Sequence, residues 1–237
     1  MGMDLQPSPS LMLPADVADA PVAVLLSGGL DSSILVAALL ERGCAVVPLY
    51  VRSGLFWELA EQQMVARLLV ALAAPRLQPL VTLEQPVDDV VREHWSMTGR
   101  GVPAAEADDT EMRLPLRNGL LMLKAGLWCH LNRVPQMALG PLKGNPFTDA
   151  SAEFFQRMEQ MFRLSGVADL RILTPFAALE KQQVMQLGAH LPLHLTFSCV
   201  APQAGRHCGE CNKCAERQAA FQVAGRSDLT VYHAVPC

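Results

Sequence analysis

Short apolar runs alternate with stretches of helical period along most of the chain. Residues 22–26 (VAVLL) read as a buried strand that enters Ser27-Gly28-Gly29 directly. The apolar run 34–40 then predicts a helix to about Arg42, ended by Gly43 as a natural C′ residue. Residues 45–51 form a second apolar strand at the spacing of a βαβ unit, so the two strands should be parallel with a right-handed crossover. An amphipathic helix follows from Phe56 to about Ala73 and stops at Pro75; residues 77–83 read as strand three. A long helix is expected from 114 to about 133 with Pro115 in its first turn, then a strand over 137–140. A helix over 150–165, a strand over 170–173 and helices at about 180–190 and 215–224 complete the pattern. Such alternation predicts an α/β fold, a doubly wound, mostly parallel five-stranded sheet.

The periodicity fails over 84–113. Gly99, Gly101 and Pro103, with the acids Glu106, Asp108, Asp109 and Glu111, predict a long loop or mobile lid whose acidic cluster is solvated. Prolines 7, 9 and 14 predict a flexible tail over 1–20, leaving 21–195 as a nucleotide-binding unit and 196–237 as a smaller segment packed on it.

Composition narrows the class. A chain of 237 residues buries roughly 70–75% of its unfolded surface and needs no disulfides to fold. No apolar stretch approaches membrane-spanning length, and residues 1–19 hold no Lys or Arg, so neither a membrane segment nor a leader peptide is expected. The net charge of −4 argues against a general nucleic-acid or anionic-membrane binder, although 15 arginines among 19 cations allow a local basic cleft. Seven cysteines in a chain of cytoplasmic character point to metal or thiol chemistry; Cys44 and Cys129 read as buried inert thiols, and Cys237 stands apart.

Two motifs carry chemistry. In Ser27-Gly28-Gly29-Leu30-Asp31-Ser32-Ser33, a strand, a glycine turn and a helix N-terminus aim backbone N–H groups and a positive dipole end at an anion, and the serine hydroxyls add donors. Asp31 is out of place beside a phosphate unless it caps the helix or acts through Mg²⁺. No Gly-Lys-Ser/Thr of the Walker type is present. Downstream, the loop 140–149 stands at a strand's C-terminal end, where open α/β sheets place ligands; its Lys143 and Asn145 are candidates to meet a substrate.

The second motif is Cys199-x8-Cys208-x2-Cys211-x2-Cys214. Two-residue gaps turn successive thiolates back onto one metal and an upstream cysteine closes a tetrahedron, a closed shell suited to structural Zn²⁺. An iron–sulfur cluster uses the same ligand set. His207 reads as a polar loop residue, while Arg206, Lys213 and Arg217 would offset the thiolate charge.

Together these segments resemble the PP-loop ATP pyrophosphatases, and among them the 7-cyano-7-deazaguanine synthase family of queuosine biosynthesis. The matching residues are 26–33, Leu114-Pro115-Leu116-Arg117-Asn118, Leu173-Thr174-Pro175 with Lys181, and Phe197-Ser198-Cys199 through Cys208-Gly209-Glu210-Cys211-Asn212-Lys213-Cys214 to Arg217. The resemblance implies an adenine nucleotide alpha hydrolase-like fold and an ATP-dependent C–N ligase that adenylates a carboxylate and condenses it with ammonia, giving an amide and then a nitrile. The substrate it implies is 7-carboxy-7-deazaguanine, with ATP, Mg²⁺ and Zn²⁺ as cofactors and a homodimer as the assembly. Leu26, Ser27, Gly28, Gly29, Leu30, Asp31, Ser32, Ser33 and Asn118 are then the nucleotide-binding residues, and Asp31, Ser32, Arg117 and Lys181 the catalytic ones. Two stretches depart from the family pattern. Residues 51–57 (VRSGLFW) replace an aromatic Gln-Arg-His segment, and 140–154 replace a loop with Asp, Tyr and Pro-Asp-Cys-Arg. The same chemistry on another acid or a tRNA base, and a zinc-stabilised nucleotide-binding module without turnover, are the competing readings.

Overall fold

The computed structural model describes residues 11–167 and 170–233. Five strands, β1 (Val22–Leu25), β2 (Val46–Arg52), β3 (Val81–Glu84), β4 (Gln136–Ala138) and β5 (Arg171–Leu173), form one sheet in the order β3-β2-β1-β4-β5. Every pairing is parallel, with Val22 opposite both Val46 and Gln136. The helices are α1 (Leu30–Glu41), α2 (Glu58–Ala71), α3 (Trp95–Thr98), α4 (Arg117–Leu131), α5 (Ala152–Leu164), α6 (Lys181–Leu187) and α7 (Asn212–Val223).

The period-2 alternation of a strand explains the two layers. Val22, Val24 and Tyr50 point into one core with Ile34, Leu35 and Leu39 of α1, Val65 of α2, Val184 of α6 and Phe221 of α7. Ala23, Val47 and Leu49 point the other way, against Met122 and Cys129 of α4 and Phe155 and Phe162 of α5. Both faces are covered, which is why the strands read as continuous apolar runs. The third cluster lies off the sheet and joins Leu55, Trp57 and Met112 to the four clustered cysteines.

Three boundaries differ from the sequence expectation for physical reasons. Helix α1 starts at Leu30, four residues before the apolar run, because Asp31, Ser32 and Ser33 are tolerated in a first turn that favours acids and small polar groups. Helix α4 starts at Arg117: Leu116 adopts a left-handed conformation, φ 61°, so Pro115 precedes the helix instead of occupying its first turn. Helix α7 starts at Asn212, which carries Cys214 on its first turn. Gly43, with φ 78°, ends α1 as expected.

The segment 84–113 is built rather than featureless. It holds α3 and a 3₁₀ turn over Asp109–Met112, with Asp108 and Glu111 forming a reciprocal capping box. It is fastened to α7, since the Asn212 backbone N–H donates to Pro103 O and the Asn212 side chain donates to Ala107 O and to Asp109 Oδ1. The four acids are exposed, as expected; two of them also cap the 3₁₀ turn, and a third accepts a hydrogen bond. Of the tail expected over 1–20, residues 1–10 lie outside the described residues. Residues 11–20 pack on the sheet edge, with Leu11 and Val17 buried, Arg171 donating to Asp16 at 3.1 Å and Gln136 donating to Val17 O. Among the described residues no helix is long and apolar enough to cross a membrane.

Candidate active site

In the order β3-β2-β1-β4-β5 the chain reverses direction between β1 and β4, and a crevice opens past the C-terminal ends of these strands. Two connected cavities occupy it, of about 360 and 280 Å³. They share Ser27, Asp31, Ser32, Glu61, Arg117 and Asn118, together with Asn145.

The glycine turn is shaped by close approach. Gly28 has φ 76°, and a Cβ there would stand 2.6 Å from Val65 Cγ2, so only glycine fits. Its carbonyl accepts a 2.7 Å bond from Phe197 N, joining the turn to the cysteine segment. Gly29 is the N-cap of α1, and the Ser27 and Ser32 hydroxyls lie 3.1 Å apart at the helix mouth. Leu26 lines the smaller cavity and Leu30 the larger. Ser33 is turned into the protein, where its Oγ has no partner among the described residues.

Asp31 makes no capping bond. It sits in the first turn of α1, and Lys181 Nζ donates to both its carboxylate oxygens at 2.7 Å, across 150 residues of sequence. Lys181 is the first residue of α6, so the two helix starts converge on the crevice. Arg117 lines both cavities and has no carboxylate partner among the described residues, which leaves its charge for a ligand. Asn118 is held by the loop after β4: its N–H donates to Asp149 Oδ2 at 3.1 Å and its side chain to Asp149 O at 3.0 Å. Of the two substrate candidates, Asn145 lines both cavities. Lys143 does not; it is exposed and pairs with Glu180 at 2.8 Å, which holds its pKa above the usual lysine value.

Several site residues carried no sequence motif. Glu61 of α2 is buried with its carboxylate accepting from Tyr50 OH, and burial pushes its pKa up to about 7 against the pull of Tyr50 and Arg117. Glu58, one turn earlier, caps the turn after β2 by accepting from Ser53 N and Gly54 N. Trp57, Trp95, Met112 and Phe147 bring an apolar wall to the larger cavity from three separate segments. For Trp57, Trp95 and Phe147 the one available signal was a glycine within four residues, and nothing in the spacing joined them.

The cysteine cluster passes a geometric test for a metal. Cys199, Cys208, Cys211 and Cys214 are buried, and their sulfurs lie within 4.8 Å of one another. The Cys199–Cys208, Cys199–Cys211 and Cys208–Cys214 sulfur separations are 3.5, 3.9 and 3.8 Å, against roughly 3.8 Å for the edge of a tetrahedron with ~2.3 Å Zn–S bonds. Backbone N–H groups of Ala201 and Cys208 donate to Cys199 Sγ and that of Cys211 to Cys208 Sγ, as suits thiolate ligands. His207 is buried, contrary to the polar-loop expectation. Its Nε2 accepts from Ser198 N, and desolvation followed by the nearby Arg217 charge lowers its pKa to about 3. Arg217 is also buried; it donates to Thr196, Ser198, Thr230 and Leu193 O, and packs over the Phe221 ring. Cys44 and Cys129 are buried as expected, and desolvation pushes the Cys129 thiol up to about 12. Cys237 lies outside the described residues.

A parallel sheet with a glycine turn and a helix N-terminus at its switch point defines an α/β protein with a site suited to a phosphate-bearing ligand. Comparison with known proteins narrows the class: residues 21–225 match the family described as queuosine biosynthesis protein QueC, and the chain belongs to that family. Its relatives include 7-cyano-7-deazaguanine synthase 1 of Desulfitobacterium hafniense (strain Y51), 28% identical over 85% of this chain and 91% of that protein. Another is the 7-cyano-7-deazaguanine synthase of Xanthomonas oryzae pv. oryzae (strain PXO99A), 31% identical over 88% and 96%. Among solved structures, NMN synthetase from Francisella tularensis superposes with a TM-score of 0.45 at 17% identity, covering 90% of this chain and 83% of that one.

Proposed function

We propose that this protein catalyses the ATP-dependent conversion of 7-carboxy-7-deazaguanine to 7-cyano-7-deazaguanine. The observation that carries the reading is the family match over residues 21–225, with the glycine turn, the Asp31–Lys181 pair and Arg117 gathered on one crevice. The substrate carboxylate attacks the α-phosphorus of ATP, releasing pyrophosphate and leaving an acyl adenylate. Ammonia then attacks the acyl carbon; the C–N bond forms, the bond to AMP breaks, and a proton is lost, giving the amide. The amide oxygen then attacks the α-phosphorus of a second ATP, releasing pyrophosphate and one N–H proton, and loss of AMP and the other N–H proton leaves the nitrile.

The chain's contribution is binding and charge. Ser27, Gly28, Gly29 and the first turn of α1 present N–H and hydroxyl donors to the phosphates. Arg117 and Lys181 face the charge that develops on the leaving phosphate oxygens, where preorganised cations have their largest effect. Asp31 would hold Mg²⁺, which offsets pyrophosphate charge when bound. Asn118 positions the start of α4 through Asp149. The four cysteines hold structural zinc and fasten residues 196–237 to the nucleotide-binding unit over 21–195. Ammonia as nitrogen donor and a homodimeric assembly belong to the same reading, and no nucleic acid is required.

The test supplies ATP, Mg²⁺, ammonium and 7-carboxy-7-deazaguanine and follows AMP, pyrophosphate and the nitrile by mass spectrometry. Substrate-dependent AMP with nitrile supports the reading; AMP only with other acids, or none, overturns it.

A further inference from the structure

The larger cavity has two unlike halves. One carries the charged groups just described. The other is a wall of Trp57 and Trp95, whose rings stack with centroids 5.9 Å apart and planes 20° from parallel, continued by Met112, Phe147 and Phe197. A ring entering between the two indoles would need roughly 7 Å, twice a ~3.5 Å contact distance, so a ligand lies on the pair and not between its members. Trp57 is buried at the start of α2, and Trp95 is held on α3, where the His94 side chain accepts from Ser96 N. The wall is therefore fixed in shape.

The smaller cavity, by contrast, is walled by the ends of β1, β2 and β4 and contains no tryptophan. Ser27, Asp31, Ser32 and Arg117 stand where the two meet. An adenylation joins two molecules at a phosphate, so it needs two chambers that meet at the phosphate-binding groups. This crevice has that form.

We propose that the Trp57–Trp95 wall is the specificity surface for the acid, stacking a flat heteroaromatic ring so that its carboxylate reaches Arg117 and the glycine turn, while the nucleotide base occupies the smaller chamber. The inference rests on the adenylation reading above and deepens it: the acid must be planar and aromatic. Aromatic faces stack well on indoles, and truncating such a partner commonly weakens binding by roughly tenfold or more.

The experiment measures tryptophan fluorescence and calorimetric binding of the full chain with 7-carboxy-7-deazaguanine, with ATP, and with a panel of bicyclic heteroaromatic carboxylates. The acid should quench fluorescence without ATP. Trp95→Leu should raise its Kd about tenfold, Trp95→Phe should keep it within about threefold, and ATP affinity should be unchanged in both. Trp95→Phe retains the ring and guards against a variant that only misfolds. An unchanged acid Kd in Trp95→Leu, or a loss of ATP affinity in its place, overturns the proposal, the latter by giving the wall to adenine. If the panel acids bind in a Trp95-dependent way and 7-carboxy-7-deazaguanine does not, the wall stands and the named substrate falls. If no flat acid binds, the wall falls. Nitrile formation unaffected by Trp95→Leu would leave the function standing and refute the wall.

Discussion

Asp31 and Glu61 are two carboxylates in one crevice with different surroundings. Asp31 is partly exposed and paired with Lys181, so a metal or a phosphate meets a compensated pair and not a bare negative charge. Replacing Asp31 with Ala should cut AMP release at least 100-fold, the usual scale for removing a group that stabilises developing charge. Near wild-type release would exclude its assigned role. Glu61 is enclosed by Tyr50, Glu58 and Arg117, and burial raises its pKa from 4.5 to about 7. The folded state therefore binds a proton that the unfolded state has released. Its contribution to stability is full below pH 4.5 and is lost as pH rises through 7, a span on the order of 3 kcal/mol. In Glu61→Gln, urea midpoints measured from pH 4.5 to 7 should lose that slope. A slope equal to wild type would show that Glu61 ionises normally. Gly28 is fixed more simply: a methyl group would collide with Val65, so Gly28→Ala should lower Tm and ATP affinity together.

At the scale of elements, the strands and the larger helices were readable because both faces of a parallel sheet are apolar, and a glycine or proline marks most ends. The cysteine spacing was readable for the same local reason, since x2 gaps allow only a tight turn. What escaped was set by contact across the chain. Leu116 breaks the start of α4 by adopting a left-handed conformation that no local rule assigns to leucine. The segment 84–113 lacks periodicity because its contacts are spread over the end of β2, the entry to α2 and the cysteine segment, the last through Asn212, Pro103 and Ala107. That junction makes the cysteine cluster a clasp for the cavity wall as well as for α7. Chelation should then lower Tm by roughly 10 °C or more and should also expose Trp95, read as a red shift of its emission. Metal loss with neither change would remove the knot's structural role.

For the whole molecule, the crevice follows from topology. Strands β2 and β3 extend the sheet to one side of β1 and strands β4 and β5 to the other, so the loops after β1 and β4 part and leave a gap over the switch point. The glycine-turn end of that gap was legible in residues 26–33 because one continuous stretch builds it. The opposite end was not, because Trp57, Trp95, Phe147 and Phe197 come from segments that meet only in the folded chain. Sequence placed Asn145 at the crevice and also pointed to Lys143, which is instead engaged by Glu180 on the outer surface.

We infer that this crevice spends ATP to activate a carboxylate. Its most direct measurement is AMP formed per nitrile produced from 7-carboxy-7-deazaguanine and ammonium. Two activations predict two AMP for each nitrile, with no AMP when the acid is omitted. Release of ADP, or AMP that forms without the acid, would contradict it.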